Sequence, residues 1–410
     1  MKLNTPELFL LSACLTAGCL ASCSHDETKA SSYENENAVV ARSDYLGKQV
    51  STAWDAKSAA AYLDQRETSW MKWPVAERDH GTFCVSCHTV VPYIIARPAL
   101  RKTLAEDGPT PEEQLLLANV LKRVRLWKEV APFYNDQEDG PHKTAESRST
   151  EAVLNAFILA SSDAQTGKLS QDSRSAFDNM WRLQQAEGEA KGSWLWEVFD
   201  LKPWESRGSD YFGATLAAIA VGIAPENYRD TPEIQNNVNM LREYLQRNSA
   251  AQSPMNRGAL LWASTKLRGI LTPTQQHTII EELLAKQHSD GGWSLLSVAI
   301  TWKDLNLASL FGKWKRDDGS LQEVQSDGLA TSFIIFALEE AAVSRQVSQV
   351  NKGLDWLVRS QNRSEGSWTA SSLNKRRVPS SNVGRFMNDA ATGFAVLALT
   401  DTNQLHARTN

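Results

Sequence analysis

The repeat on which this chain is built reads, in its most regular copy, Gln287-His288-Ser289-Asp290-Gly291-Gly292-Trp293. A helical run precedes it, and the copy ends that run with Gln, a polar turn and Gly-x-Trp. A Gln can bond the free carbonyls of a helix end, a glycine can adopt positive φ, and an indole can stack back on the helix. The repeat therefore predicts a helix with a defined end, followed by a buried tryptophan.

Three further copies indicate that the architecture repeats. Gln361–Trp368 and Gln184–Trp194 keep the Gln and Gly-x-Trp, whereas Gln65 with Trp70 is degraded. We expect polar outer helices near 55–66, 112–128, 172–187, 232–247, 273–288 and 348–361, and apolar inner helices that begin near 84, 147, 210, 256, 327 and 389. Pairing each inner helix with the outer helix before it gives six hairpins.

The inner helices are rich in small apolar residues, so we expect them to be buried on most sides. Three of them open with an aspartate (Asp210, Asp327 and Asp389), which we expect to cap the free amides of the first turn. Strand signals are nearly absent. The sequence therefore predicts an all-α fold in which six hairpins close into an α/α toroid.

A second motif is Cys84-Val85-Ser86-Cys87-His88. C-x-x-C-H is the attachment site of a c-type haem, where the two thiols bond the porphyrin vinyl groups and the adjacent imidazole becomes an axial iron ligand. Half of a zinc ribbon would need a second Cys/His pair, and a thioredoxin-like dithiol normally lies beside a βαβ pattern. A strained disulfide between the two cysteines and a chance match also compete with haem. We predict one covalent haem c, with His88 as the axial ligand.

The spacing of the repeats predicts where this haem lies. Cys84 follows Trp70 by 14 residues, much as Asp210 follows Trp194 by 16. The motif is therefore expected on the opening turn of the first inner helix, at the rim of the toroid cavity.

The sixth iron position has no obvious ligand, because no Met occurs between His88 and Met180. The candidates are Met71, His80 and His142, or none. An open sixth position favours small-molecule chemistry at the iron, and two firm ligands favour electron transfer.

These two motifs together resemble a known superfamily. Gln and Gly-x-Trp repeats on helical hairpins look like the QW motifs of squalene-hopene cyclases and prenyltransferases, and the likeness covers roughly residues 50–400. More narrowly, the chain is similar to exported bacterial squalene-cyclase-like proteins that carry a c-haem motif, through Cys84–Tyr93 and Ala96–Pro98. The resemblance implies a terpenoid-cyclase-like toroid and says little about chemistry.

The N-terminus predicts export. The apolar run Leu8–Leu15 is too short to span a bilayer, and Leu20-Ala21-Ser22-Cys23 resembles a lipobox whose Cys23 would be lipidated. Cys19 is a weaker candidate, and an ordinary cleaved signal peptide is the alternative. We predict a lipoprotein signal peptide at 1–22, a flexible tether at 23–45, a haem-c-binding helical part of the toroid at 46–140, and the squalene-cyclase-like toroid at 141–402.

Composition limits the partners. The chain has 43 basic and 48 acidic residues, so nothing suggests nucleic acid. Its 14 Trp residues indicate either structural tryptophans or an aromatic-lined cavity. The predicted partners are the periplasmic or outer membrane face through the N-terminal lipid, a redox partner, and an apolar small molecule in the cavity.

Three functions remain to be weighed. Triterpene cyclisation needs a D-x-D-D acid, which is absent, since Asp317-Asp318 lacks the pattern. The aromatic and acidic stretches Trp194–Asp200 and Pro203–Glu205 suit a sugar platform, although packing of the QW turn explains them more simply. We expect electron transfer, with a haem-dependent redox enzyme acting on an apolar, isoprenoid-like ligand as the alternative and a cyclase-type enzyme as the second.

Overall fold

A computed structural model describes residues 53–130, 140–199, 201–301 and 313–400. The predicted signal peptide, the tether and Cys23 lie outside these ranges. The helices are α1 Ala56–Met71, α2 Val90–Leu104, α3 Pro111–Arg125, α4 Gly140–Thr166, α5 Gln171–Arg182, α6 Ser209–Ile223, α7 Gln235–Asn248, α8 Pro254–Lys266, α9 Pro273–Ala285, α10 Leu295–Val298, α11 Gly328–Glu340, α12 Ser348–Ser360 and α13 Asn382–Leu399.

The strands are few and short. β1 Glu77–Arg78 pairs antiparallel with β2 Thr82–Phe83, and β3 Lys313–Lys315 pairs antiparallel with β4 Leu321–Glu323. The predicted all-α class is confirmed. The described residues from Ala53 on belong to one compact unit, which contains the described residues of both predicted parts at 46–140 and 141–402. The boundary between those two parts stays a prediction.

The inner helices contact one another in a closed order. They are α2, α4, α6, α8, α11 and α13, and each packs on the next, with α13 packed on α2. Their small side chains permit this close packing, and every residue of α11 is buried. A closed order of buried helices is what an α/α toroid requires, and the toroid itself stays a prediction.

The pairing of helices into hairpins differs from our prediction. The outer helices α5, α7, α9 and α12 pack mainly on the inner helix that precedes them, whereas we expected contact with the one that follows. The physical reason is loop length: α4 and α5 are separated by only four residues, and short connections make antiparallel neighbours. The long Gly-x-Trp turns separate successive hairpins instead.

The expected aspartate caps are only partly present. Asp327 is the N-cap of α11 and accepts a hydrogen bond from the Ala330 amide at 3.0 Å. Asp210 instead accepts from the Tyr244 hydroxyl at 2.6 Å, and Asp389 lies in the middle of α13, whose N-cap is Ser381. Two of the three predicted caps were therefore wrong, because an earlier residue begins the helix and leaves the carboxylate free to bind another element.

The Gly-x-Trp turns explain why the tryptophans are buried. The indoles of Trp194, Trp293 and Trp368 are at most 1% exposed, and each donates to a carbonyl of the preceding outer helix at 2.7–2.8 Å. The glycines before them have φ between 81° and 98°. The indole N–H therefore bonds a carbonyl near the helix end, a role we had assigned to the Gln.

The repeat glutamines link neighbouring outer helices. Gln287 donates to the carbonyls of Gly291 and of Gln349 on α12, at 2.8 and 2.7 Å. Gln361 makes the corresponding bond to Asp55, the N-cap of α1, at 3.0 Å, and accepts from the Asp55 amide at 2.7 Å. The last repeat therefore holds the first helix in the way that other repeats hold their neighbours.

Among the helices of the described residues, none combines the length and the hydropathy that a membrane span requires.

Candidate cofactor site

The C-x-x-C-H motif lies in the turn between β2 and α2. The helix begins at Val90, so the motif precedes the first inner helix and does not form its opening turn, contrary to our prediction. The Ser86 hydroxyl accepts from the amides of Thr89 and Val90 at 3.3 and 3.2 Å, which satisfies two free amides at the start of α2. The turn therefore supplies its own cap and is fixed in conformation.

The two thiols are present as free cysteines. Cys87 is buried and Cys84 is half-buried. Burial raises the pKa of both thiols far above the usual range, and the nearby carboxyls of Glu197 and Glu205 raise it further. A nucleophilic cysteine needs a lowered thiol pKa, so the surroundings do not favour a reactive dithiol.

Aromatic rings surround His88. The Phe386 ring stacks on the imidazole with centroids 3.8 Å apart, Trp70 meets it edge-on at 5.2 Å, and Trp204 lies at 6.3 Å. Burial, with a smaller contribution from the Arg66 charge, lowers the pKa of His88 to about 3. The imidazole is therefore neutral across the physiological range, which is the form that binds a metal.

Hydrogen bonding decides which ring nitrogen of His88 carries the proton. Nδ1 lies 2.9 Å from the Thr89 hydroxyl oxygen, and that hydroxyl donates to Asp389 Oδ2 at 2.8 Å. Because its own proton is used, the Thr89 oxygen must accept, so Nδ1 carries the hydrogen. Nε2 is left with its lone pair, and it makes no hydrogen bond to any residue in the described ranges.

The hydrogen bonds from His88 Nδ1 to Thr89 and from Thr89 to Asp389 form a chain that we call the relay. It ends at the Asp389 carboxylate. Besides Thr89, this carboxylate accepts from Arg66 at 2.8 and 3.0 Å and from the Tyr62 hydroxyl at 2.9 Å. Burial raises the pKa of Asp389, while the Arg66 guanidinium lowers it. Four donated hydrogen bonds, two of them from a cation, favour the ionised form. The relay therefore joins α1, the start of α2 and α13 around His88.

The donor groups of these residues match those that hold a c-type haem. Two unpaired thiols lie on one fixed turn, and the next residue is a neutral imidazole with a free lone pair on Nε2. A ligating histidine typically donates its other N–H to an oxygen, as His88 does to Thr89. Phe386 covers a face of the imidazole, whereas the lone pair points in the plane of the ring. Cys84 and Cys87 would hold the porphyrin, and His88 would bind its iron.

Two glutamates lie near the thiols. Glu197 accepts from the Ser147 hydroxyl at 2.6 Å, and burial raises its pKa. Burial, and next the charge of Glu197, raises the pKa of Glu205 to about 8. The two carboxyls interact, because a negative charge on one disfavours ionisation of the other.

The three candidates for the sixth iron position are not gathered around His88. The imidazole of His80 is 43% exposed and lies 3.6 Å from Asp79. The imidazole of His142 is 73% exposed, and its Nε2 lies 2.8 Å from Glu146. Met71 is half-buried at the end of α1, beside Trp70. The identity of the sixth ligand stays a prediction, and Met71 is the candidate whose neighbour touches His88.

The aromatic and acidic stretch after Gln184 serves mainly for packing. Trp194, Trp196 and Trp204 are at most 5% exposed, and the Trp196 ring fills the space that a Cβ on Gly213 would need. A sugar platform needs exposed ring faces, so the packing explanation is the better one. The Trp204 ring also packs beside the His88 imidazole.

Sequence reasoning missed the residues that support His88. Thr89 and Asp389 are 300 positions apart, and Phe386 lies near Asp389 on α13. The only signal was the pair Asn388-Asp389, which we interpreted as a helix cap. A buried acid within an apolar helix needs a partner, and that rule could have marked Asp389 as part of a site.

Comparison with known proteins gives structural neighbours only. No family model matches the sequence, and no curated protein matches it. Among solved structures, 21 chains match. One is a wild-type glycosidase, with a TM-score of 0.45 and 11% identity over 85% of this chain and 98% of that chain. A variant glycosidase has a TM-score of 0.46 and 10% identity over the same shares. Likenesses at this level assign no family and no function to the chain.

Proposed function

We propose that the chain is an exported electron-transfer protein that carries one c-type haem on Cys84 and Cys87, with His88 as an axial ligand. The observation that carries the proposal is the relay from Asp389 through Thr89 to His88 Nδ1, which leaves the Nε2 lone pair free. A free cysteine pair with a chance histidine would not need such a relay. When bound, the haem supplies a one-electron couple.

The residues of the chain have separate roles in this proposal. Cys84 and Cys87 hold the porphyrin through thioether bonds. Thr89 fixes the tautomer and direction of the imidazole, and Asp389 holds Thr89 through its bonds to α1. Trp70, Trp204 and Phe386 exclude water and keep the imidazole plane fixed, so that the ligand need not move when the oxidation state changes.

Electron transfer and enzyme chemistry differ at the sixth iron position. We expect a six-coordinate, low-spin ferrous spectrum that carbon monoxide leaves unchanged, because electron carriers keep both axial ligands. The measurement is the visible spectrum of the reduced protein before and after carbon monoxide is added. A high-spin form that binds carbon monoxide would contradict electron transfer and favour a redox enzyme acting on an apolar ligand.

Lipid anchoring is the second part of the proposal. It rests on the lipobox at Leu20–Cys23, which lies outside the described residues. We expect Cys23→Ala to move the protein from the membrane fraction to the soluble fraction, whereas Cys19→Ala leaves it on the membrane. Membrane association that persists in the Cys23→Ala variant would contradict lipidation at this cysteine.

A further inference from the structure

The strand pair β3–β4 forms a cationic surface together with the loop at 372–378 and Lys202; we call it the ribbon surface. The chain as a whole has a net charge of −5, so a local excess of positive charge stands out. The ribbon surface has three acidic residues, Asp317, Asp318 and Glu323. Among its residues whose side chains the structure describes, the cations are Lys315, Lys375 and Arg376, which are exposed, and Lys202, Arg316 and Arg377, which are half-buried.

Hydrogen bonds hold the parts of the ribbon surface together. The Trp314 indole donates to the Leu373 carbonyl at 2.9 Å, and Arg316 Nε donates to the Ser372 carbonyl at 2.8 Å. The Lys202 ammonium lies 5.6 Å from the centroid of the Trp314 ring. The cations are therefore carried on one connected scaffold.

Exposed apolar side chains lie among these cations. Leu321, Val324 and Val378 are 56%, 43% and 66% exposed. They are three of the five large apolar side chains that are exposed in the described ranges. Apolar side chains bordered by charges are typical of a surface that binds another protein.

The ribbon surface is joined directly to the walls around His88. Lys202 is two residues before Trp204, whose ring lies 6.3 Å from the imidazole. The 372–378 loop packs on the start of α13: the Val378 carbonyl is so close to Gly384 that a Cβ there would lie 2.0 Å from its oxygen. Phe386, which stacks on the imidazole, follows on the same helix. Trp204 and Phe386, two of the three rings around His88, therefore lie on segments that continue into the ribbon surface.

We propose that the ribbon surface binds an acidic electron-transfer protein that exchanges electrons with the haem. This inference rests on the proposed function, because it names the partner of the same site. Electron-transfer complexes are small and short-lived, and complementary charge speeds their formation. A cationic area on an acidic protein orients such a partner, because the rest of the surface repels it.

The pattern of charge favours a protein over a membrane. An anionic bilayer presents uniform negative charge, which the interleaved Asp317, Asp318 and Glu323 would oppose. A folded partner can place its own cations opposite these acids, and complementarity of both signs is what gives protein interfaces their specificity.

The test compares two charge-reversal variants of the full chain. Lys375→Glu with Arg376→Glu changes two exposed side chains of the ribbon surface, and it keeps the bond from the Arg376 backbone amide to Asp318. Lys168→Glu with Lys352→Glu reverses two exposed cations elsewhere. Stopped-flow absorbance follows haem reduction by an acidic plant-type ferredoxin and by the cation hexaammineruthenium(II).

We expect the ribbon variant to be reduced by ferredoxin about tenfold more slowly at low salt, with the difference disappearing at about 0.5 M salt. The control variant should react like the wild type, and the ruthenium cation should reduce the ribbon variant no more slowly than the wild type. Equal rates of reduction by ferredoxin in the two variants would overturn the proposal. Binding to phosphatidylglycerol vesicles is measured beside these rates. If the ribbon variant loses only vesicle binding, the surface binds a membrane and the proposal is likewise overturned. A colourless protein would instead overturn the proposed function, and the docking proposal with it.

Discussion

At the scale of single residues, hydrogen bonds set the state of His88. A neutral imidazole could carry its proton on either nitrogen, and only one tautomer leaves Nε2 free for a metal. Thr89 selects the tautomer with the proton on Nδ1, because its own hydroxyl proton is donated to Asp389. The hydroxyl has no part in capping α2, so its role can be changed without removing a helix cap.

The first prediction concerns Thr89→Val, which removes the hydroxyl and nearly keeps the shape. The haem should stay attached through its thioethers, but the bond from His88 to iron should weaken, because losing an outer partner typically costs about 10–100-fold in metal affinity. We expect added imidazole to displace His88 at a correspondingly lower concentration in an absorbance titration. Thr89→Ser should behave like the wild type. A Thr89→Val protein with unchanged titration would show that the relay does not hold the ligand.

Glu67 gives a second prediction at this scale. It is fully buried, and neither carboxyl oxygen has a hydrogen-bond partner among the described residues. Burial, and next the charge of Asp389, raises the pKa of Glu67 from 4.5 to about 8. The folded protein then keeps a proton that the unfolded chain releases. The free energy of unfolding should therefore fall as the pH rises from 4.5 to 8, and level off above that range.

We expect Glu67→Gln to make this decline smaller by the part that Glu67 contributes, a few kcal/mol at most, because glutamine stays neutral. Glu205, whose pKa is also raised to about 8, keeps its own part in both proteins. The measurement is urea unfolding at several pH values between about 5 and about 8. Glu281→Gln, at an exposed position on α9, is the control and should keep the wild-type slope. A slope in Glu67→Gln equal to that of the wild type would show that Glu67 does not hold this proton in the folded protein.

The sequence could predict Cys84, Cys87 and His88, because their spacing is local and chemical. It could not predict Thr89 or Asp389, because their pairing depends on how the ends of the chain meet. No short-range pattern contains that information. Phe386 is a further case, since any large apolar residue on α13 would have looked like ordinary core.

At the scale of the elements, the Gly-x-Trp turns carry both packing and hydrogen bonding. Trp293 is fully buried, and its indole donates to Leu283. Trp293→Ala should lower the free energy of unfolding by about 3–5 kcal/mol, since it leaves a large cavity. Trp293→Phe should cost less, since it retains most of the buried area and loses the hydrogen bond. Urea unfolding measures both, and equal losses in the two variants would show that the hydrogen bond alone matters.

The periodicity of the repeats predicted the outer helices within a few residues, because their ends carry strong local signals. It predicted the starts of some inner helices poorly: α4 begins at Gly140, where we expected 147, and α13 begins at Asn382, where we expected 389. An apolar helix buried on all sides shows no change of pattern at its start. An aspartate within such a helix is then easily mistaken for a cap, as Asp389 was.

At the scale of the whole molecule, the last repeat contacts the first helix, and the predicted toroid depends on this contact. Gly366 has φ of 81°, and a Cβ added there would lie 2.0 Å from the Ser58 carbonyl oxygen of α1. Gly188 has φ of 72°, but the space around it is open. The two glycines therefore share a strained backbone conformation and differ in packing against α1.

Gly188→Ala should lower the free energy of unfolding by about 1 kcal/mol, from backbone strain alone. Gly366→Ala should lower it clearly more, because the added methyl group also meets α1. We expect α1 to exchange its amide hydrogens faster in Gly366→Ala, because the added methyl group pushes α1 from the last repeat. Hydrogen exchange read by mass spectrometry, with urea unfolding beside it, measures both effects. Equal losses in the two variants would mean that close packing of Gly366 on α1 does not stabilise the contact between the last repeat and the first helix.

We propose above all that a haem is bound covalently to Cys84 and Cys87. The most direct measurement is the pyridine haemochrome spectrum of the protein purified from a host that matures c-type cytochromes. The account predicts one haem per chain, retained under denaturing conditions, and none in the Cys84→Ala, Cys87→Ala double variant. A colourless wild-type protein, or a double variant with the same covalent haem content, would contradict it.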